Sequence, residues 1–348
     1  MIREAIAKVV EEKHLTEEEA HLAMSEIMAG EATHAQIACL LTALRMKGET
    51  VDEITGFARA MREKATPVRP KAARLVDTCG TGGDKMKTFN ISTAAAFVAA
   101  GAGVPVAKHG NRAVSSRCGS ADVLEALQID PDLDISAEAI ADCIDTVGVG
   151  FLFAPRLHAA IKHAMPARRE MGVRTAFNAL GPLANPAGAT AQVLGVYSSE
   201  LTRTHAEVLR RLGSTRVFVV HGVDGLDEIS TLGPTDVAEL RDGEVETYQI
   251  TPEEFGLPRA RQQDIEGGLP AENARLLLDI LSGRPGPRRD IVLINAAAAI
   301  VAGGKADTLA EGLTVAARAI DSGAAMAKLA ALQDFCRAVT RRAAEAGA

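Results

Sequence analysis

Leu75-Val76-Asp77-Thr78-Cys79-Gly80-Thr81-Gly82-Gly83-Asp84 decides how this chain is read. Leu75–Thr78 has the make-up of a short strand, and three glycines within residues 80–83 end it in a tight loop. Downstream the pattern repeats. A helix is expected from about Thr93 to Ala100, then a second short strand at Val104–Ala107. Further strands are expected at Val149–Phe153, Gln192–Tyr197 and Arg216–Val220, with helices around Ala121–Leu127, Ala137–Val147 and Ser199–Leu212. Short apolar strands alternating with helices imply a mostly parallel central sheet covered on both faces, an α/β fold. Val237–Leu240 and Val245–Ile250 flank Asp242-Gly243 and read as a hairpin. The C-terminal stretch is Ala-rich and reads as helical.

Upstream the pattern is purely helical, with helices expected near residues 3–12, 17–28, 34–46 and 51–64. Thr16 with Glu19, and Thr50 with Glu53, have the spacing of capping boxes; Leu15 is placed to staple the first. Gly30 and Gly48 punctuate the segment, and Thr66-Pro67-Val68-Arg69-Pro70 reads as a linker, since each Pro disfavours helix at the residue before it.

The chain has 348 residues, which suggests two domains. At 47% hydrophobic and 24% charged it can bury a large core, which excludes a disordered chain and a disulfide-stapled miniprotein. Aromatics are 3%, with no Trp, so a nucleic-acid binder built on stacking platforms is disfavoured; a net charge of −7 disfavours a phosphate-backbone binder as well. Five scattered cysteines without a CxxC pair read as reduced thiols in a cytoplasmic protein. The N-terminus lacks a signal-peptide pattern, and no apolar run has membrane-helix length.

Several segments carry chemistry. The glycines at 80–83 let backbone approach a ligand closely and turn N–H groups toward an anion, although a plain βα turn looks the same. The loop fits neither a Walker A motif nor the dinucleotide fingerprint, because Lys85 stands where the last Gly should be. Asn90-Ile91-Ser92-Thr93 opens an Ala-rich helix; such residues are ordinary caps, and they also make a phosphate site at a helix N-terminus. Lys108-His109-Gly110-Asn111-Arg112-Ala113-Val114-Ser115-Ser116 follows a strand end and is the densest polar segment, suited to a phosphorylated substrate. Asp227-Glu228 also follows a strand and suits Mg2+. The segment from His158 to Pro186 carries His163, Arg168, Arg169 and Arg174; Arg168 or Arg169 could receive a carboxylate in two-pronged fashion.

Taken in order, Asp77–Asp84, Asn90–Thr93, Lys108–Ser116, Gly119–Leu127, Arg168–Pro186 and Gly225–Ser230 closely resemble the anthranilate phosphoribosyltransferase family over nearly the whole chain. The resemblance implies an N-terminal helical domain, residues 1–68, joined by part of 165–190 and used for homodimerisation. It implies an α/β domain at 71–348 with a nucleoside phosphorylase-like phosphoribosyltransferase fold. The implied reaction moves the phosphoribosyl group of 5-phosphoribosyl 1-pyrophosphate to the amine of anthranilate in tryptophan biosynthesis, with Mg2+, two ions per subunit. Carried over by position, Gly80, Gly83, Asp84, Thr88, Asn90, Ile91, Ser92 and Thr93 belong to the phosphoribosyl pyrophosphate site. Lys108, His109, Gly110, Asn111, Arg112, Ala113, Val114, Ser115, Ser116 and Ser120 complete it. Gly80, His109, Asn111 and Arg168 are placed at anthranilate, and Ser92, Asp227 and Glu228 at the metal. No general base is assigned; Lys108 and Mg2+ supply electrostatic stabilisation.

The chain departs from the family at His158-Ala159-Ala160-Ile161-Lys162-His163, where HPAMKH is frequent, at Cys118, where Ser is frequent, and at a slightly longer Gln128–Asp132 segment. Two rival readings are a pyrimidine nucleoside phosphorylase-like enzyme, which needs no acidic metal pair, and a non-catalytic nucleic-acid-binding paralogue, which calls for a basic groove.

Overall fold

A computed structural model describes residues 1–83, 86–113 and 117–346. The expectations for Asp84, Val114, Ser115 and Ser116 lie outside the described residues. Four helices come first: α1 Ile2–Val10, α2 Glu17–Ala29, α3 His34–Lys47 and α4 Val51–Lys64. Both expected capping boxes are made, and a third forms at Thr33 with Gln36. The Glu53 carboxylate does more than cap. It is fully buried and accepts from Leu15 N at 2.9 Å, Thr50 N at 2.8 Å and Lys47 Nζ at 3.0 Å, so it ties the start of α2 to α3 and α4.

Seven strands follow: β1 Val76–Gly80, β2 Val106–Gly110, β3 Val149–Phe153, β4 Ala191–Gly195, β5 Arg216–Gly222, β6 Thr235–Arg241 and β7 Glu244–Ile250. The sheet order is β3-β2-β1-β4-β5-β6-β7, parallel through β5 and antiparallel from β5 to β7. Asp242 and Gly243 turn the β6–β7 hairpin with φ of 52° and 84°, as the Asp-Gly pair requires. Between and after the strands lie α5 Ile91–Gly101, α6 Ser120–Ala126, α7 Ala137–Val147, α8 Ala154–Leu157, α9 Met165–Met171, α10 Ala176–Leu180 and α11 Glu200–Arg211. The chain closes with α12 Pro270–Leu281, α13 Pro287–Ala302, α14 Leu309–Asp321 and α15 Ala324–Ala346.

Two cores sandwich the sheet. Helices α5 and α12–α15 cover one face around Phe97, Phe218 and Ile294. On the other face α1–α4 share a single cluster with Ala164, Phe177, Leu183 and Leu209. The buried Arg62 guanidinium on α4 donates to the carbonyls of Leu183 at 2.7 Å and Leu212 at 3.2 Å, fastening the helical bundle to the turn after α10. No described helix is long and apolar enough to cross a membrane. None of the five cysteines is in a disulfide.

Several expected boundaries move, β1 to Val76–Gly80 and β4 to Ala191–Gly195 among them, and two of the shifts bear on the site. β2 continues past Ala107 through Lys108, His109 and Gly110, and α5 begins at Ile91 instead of Thr93. Polar side chains mark a loop in a sequence, yet here Lys108 and His109 are 3% and 6% exposed because neighbouring strands supply buried partners. Asn90 precedes α5 without capping it through its side chain; its amide donates to the Cys118 carbonyl at 3.1 Å and accepts from Asn273 at 3.0 Å.

Candidate active site

The strand order reverses between β1 and β4, and in open α/β sheets the crevice outside such a switch point holds ligands. The loop after β5 folds back over that crevice. It comes so close that a Cβ on Gly80 would lie 2.5 Å from Asp227 Oδ2, and one on Gly195 only 1.6 Å from the Asp227 carbonyl oxygen. Glycine is therefore forced at 195, where the clash is with backbone, and at 80 a side chain would push the Asp227 carboxylate off Gly82 N. Gly82 N donates to Asp227 Oδ2 at 2.8 Å, and Ser92 N donates to Glu228 Oε1 at 3.1 Å. Lys108 Nζ donates to the Thr78 carbonyl and, at 3.3 Å, to Ser92 Oγ. The glycine loop, the first turn of α5, Lys108 and the acidic pair thus meet at one place, as their order in the sequence led us to expect.

Beneath them lies a buried network. Asp77 accepts from His109 N at 3.0 Å, Asn185 Nδ2 at 2.8 Å and Cys79 Sγ at 3.5 Å. Burial pushes the Asp77 carboxyl up and the Lys108 ammonium down, and the attraction between the two opposes both shifts. Glu228 also favours the charged Lys108, so an arriving polyphosphate would strengthen the same preference.

The other flank comes from residues 158–184. The rings of His109 and His158 lie 5.1 Å apart, both nearly fully buried, each with an Nε2 that has no partner. Burial lowers them to about 3 and about 4, so both are neutral at ordinary pH. The Arg168 guanidinium lies 4.8 Å over the Phe177 ring and touches Met165 Sδ at 3.6 Å. It has no carboxylate partner among the described residues, and burial lowers its pKa. Arg174 does something different. It stacks 4.8 Å over Tyr197 and donates to the Gly83 carbonyl at 3.0 Å, while Tyr197 N donates to Thr81 Oγ1 at 3.1 Å. The far arm of the glycine loop is held from β4 by this pair.

The remaining expected residues fall into three groups. Asn111 is exposed at the end of β2, with Ser120 Oγ at 3.2 Å from its backbone N, and Gly110 lies beside it. Arg112 is turned away into carboxylates, Glu125 at 2.7 Å and Asp122 at 3.2 Å among them, and Ala113 N also donates to Asp122. Thr88 bridges to Glu266, while Ile91 and Thr93 are buried in the first turn of α5. Asp77, His158, Asn273 and the clamp by Arg174 are not assigned by the sequence reading. Asp77 has a signal, a carboxylate inside a buried strand; Asn273 has none, since its partner Asn90 stands 183 positions away.

The donor set can be tested against a metal. No group of three or more His, Cys, Asp or Glu clusters among the described residues. Two carboxylates beside a hydroxyl do not make a dedicated cage, yet they suit Mg2+, which keeps waters and takes phosphate oxygens as its other ligands.

Two family models match the chain: the helical bundle domain of a glycosyl transferase family over residues 3–65, and its a/b domain over 72–326. An anthranilate phosphoribosyltransferase from Moorella thermoacetica is 60% identical over 332 residues, 95% of this chain and 97% of its own. The crystal structure of that enzyme from Thermus thermophilus is similar with a TM-score of 0.91 and 48% identity, covering 96% of this chain and 99% of that one. The Saccharomyces cerevisiae enzyme in complex with PRPP and Mg has a TM-score of 0.88 and 29% identity, covering 97% and 98%. The yeast enzyme has also been solved with 4-fluoroanthranilate.

Proposed function

The chain belongs to the anthranilate phosphoribosyltransferases, and from that premise we propose how its residues divide the work. It transfers the phosphoribosyl group of phosphoribosyl pyrophosphate to the amine of anthranilate, in tryptophan biosynthesis. The bond from C1 of the ribose to the pyrophosphate oxygen breaks, a C1–N bond forms, and the amine loses one proton. Positive charge builds on the ribose and negative charge on the leaving group, so electrostatic stabilisation and in-line positioning matter more than a strong base. The anthranilate amine is already neutral with a usable lone pair, which is why no residue here is given the role of general base.

Gly80, Gly82 and Gly83 offer backbone N–H groups to the polyphosphate, and Lys108 with Ser92 receives its charge at the start of α5. Bound Mg2+ supplies neutralisation of the developing pyrophosphate charge. Asp227 and Glu228 hold it, with Ser92 beside them. The two acids address different loops, Gly82 and Ser92, and that division supports two ions per subunit. Arg168 takes the anthranilate carboxylate; a guanidinium held on an aromatic ring without a carboxylate of its own is the observation that carries this assignment. Neutral His109 and Asn111 flank the ring.

Helices α1–α4, with the part of 165–190 that shares their core, form the smaller domain, and 71–348 form the larger one. Val10, Leu22 and Met46 are exposed on the bundle, Met46 at 83%, which supports a homodimer through these helices. Met46→Glu is expected to give a monomer in light scattering; a dimer of unchanged stability would overturn that interface. The reaction itself is tested by following anthranilate fluorescence with phosphoribosyl pyrophosphate and Mg2+; no decay at micromolar enzyme would overturn it.

A further inference from the structure

A cavity of about 240 Å3 lies behind β3, on the edge of the sheet and outside the cleft described above. Its walls come from β3, residues 129–140 and α15. The charged groups on the walls are already answered. Arg156 donates to the Asp132 carbonyl at 2.7 Å and to the Asp134 carboxylate, and Asp130 accepts from Asp132 N at 2.9 Å. Burial pushes the Cys143 thiol up to about 12 and raises Cys336 as well, so both stay protonated. Apart from Arg156 and Asp130, the lining is uncharged and mostly apolar, including the rings of Phe151, Phe153 and Phe335. A dry apolar cavity of roughly 150 Å3 already takes benzene, so this one admits two fused rings.

We propose that this cavity binds a small neutral aromatic molecule, and that its occupancy is felt at Asn111. The connection is short. The β2–β3 register sets Phe153 opposite Gly110. A Cβ on Gly110 would lie 2.6 Å from Phe151 Cε2 and 2.2 Å from Ser120 Oγ, so ring, backbone and hydroxyl are packed without slack. Ser120 Oγ in turn accepts from Asn111 N and donates to the Asn111 carbonyl, both at 3.2 Å. Arg112 spans the same region, with its guanidinium 6.0 Å over Phe153 and bonded to Asp132 at the edge of the cavity wall. A guest packed against Phe151 therefore bears on Gly110 and Ser120, and through them on the loop that begins at Asn111. The binding half of this inference stands apart from the reaction proposed above; the effect on turnover rests on that reading.

Indole is the probe, because the chain contains no Trp and indole emission meets a nearly dark background. Wild-type protein is expected to bind indole with a Kd below about 1 mM. Saturating anthranilate should not displace it in equilibrium dialysis. Leu133→Phe and Cys336→Phe each add bulk to the cavity and should weaken binding by about tenfold or more, with turnover in the absence of indole unchanged. Saturating indole should lower kcat/KM for anthranilate about threefold in wild type and leave both variants unaffected. Melting curves identify a variant that fails to fold, and the other then decides. No binding to wild type, equal binding to a filled variant, or displacement by anthranilate overturns the site. Binding without any change in turnover overturns the connection to Asn111. Absence of wild-type turnover would instead count against the proposed reaction and leave the indole result standing.

Discussion

The two ends of the cleft are built on opposite terms. At the end proposed for the polyphosphate, the groups assigned to it already have partners within the chain: Gly82 N–H rests on Asp227, Ser92 N–H on Glu228, Lys108 on Thr78 and Ser92. Binding there is an exchange, in which the acids give up N–H donors and the donors turn to phosphate. At the end proposed for anthranilate, Arg168 rests on Phe177 without a carboxylate partner among the described residues, and His109 and His158 bury Nε2 atoms that meet no partner. Binding there fills a deficit. An exchange returns little net energy per contact and selects by geometry. A deficit returns more, because each buried polar group was unfavourable before the ligand came.

The largest effect should come from breaking the exchange. Asp227→Asn with Glu228→Gln leaves the N–H contacts possible but removes the charge, so kcat/KM should fall by about three orders of magnitude or more with little change in melting temperature. EDTA should abolish turnover, and recovery should follow added Mg2+. Full activity of the double variant in chelator would show that the acids serve only to hold the loops.

Arg168→Ala tests the deficit. A charge-assisted bond contributes about 1.5–3 kcal/mol, so the anthranilate KM should rise by about one to two powers of ten while the phosphoribosyl pyrophosphate KM stays nearly constant. Equal rises in both would mean that Arg168 supports the fold of the cleft and does not read the aromatic substrate.

A smaller change is expected at Arg174, which touches the glycine loop from behind. Losing its bond to Gly83 and its stacking on Tyr197 should cost about 1 kcal/mol, roughly a fivefold rise in the phosphoribosyl pyrophosphate KM. Lys at this position keeps the charge without the planar fork and should recover part of the loss. A change in the anthranilate KM alone would place Arg174 at the wrong end of the comparison.

The smallest signal is in stability against pH. His109, His158 and His205 are held at about 3, about 4 and about 4, below their ordinary 6.5. The unfolded chain therefore binds more protons in this window, so stability is full above pH 6.5 and falls as the pH drops toward 4. Carboxylates with lowered pKa act in the same direction below about pH 4, whereas the raised Asp77, Glu49 and Asp290 oppose the histidines above that pH, so single His variants read the histidine contribution. The His205 ring lies between the Leu201 and Ala179 carbonyls, 3.0 and 3.3 Å from its two nitrogens, and donates its one N–H to one of them, so His205→Gln should flatten part of the slope with little change in kinetics. An identical slope between pH 6.5 and 4 in wild type and His205→Gln would contradict the burial of that ring as a neutral group.

Periodicity and turn chemistry carried most of the fold. The four helices, their capping boxes, β3 and the Asp242-Gly243 hairpin fall where local rules put them. Among the boundaries that moved, β2 extends where polar residues are buried by partners distant in sequence: Lys108 by Thr78 and His109 by Asp77. No local pattern reports such a partner. The same limit applies to the site. Motif order gathered Gly80, Ser92, Lys108 and Asp227, but the Arg174 clamp spans 91 positions, and the pairing of His109 with His158 depends on packing between β2 and the turn before α9.

Gly80 and Gly195 also bear on how such a chain can vary. With a neighbouring carbonyl oxygen 1.6 Å from where a Cβ would sit, no substitution at 195 can be absorbed by a side-chain rotation. The Asp227 segment would have to retreat first, taking the acidic pair away from Gly82 and Ser92. A side chain there would therefore displace the acidic pair in the same step. Gly82, with φ +68° and nothing within 4 Å of its would-be Cβ, is constrained only by backbone angle. Asn, which tolerates that angle, gives it a route of descent that Gly195 lacks.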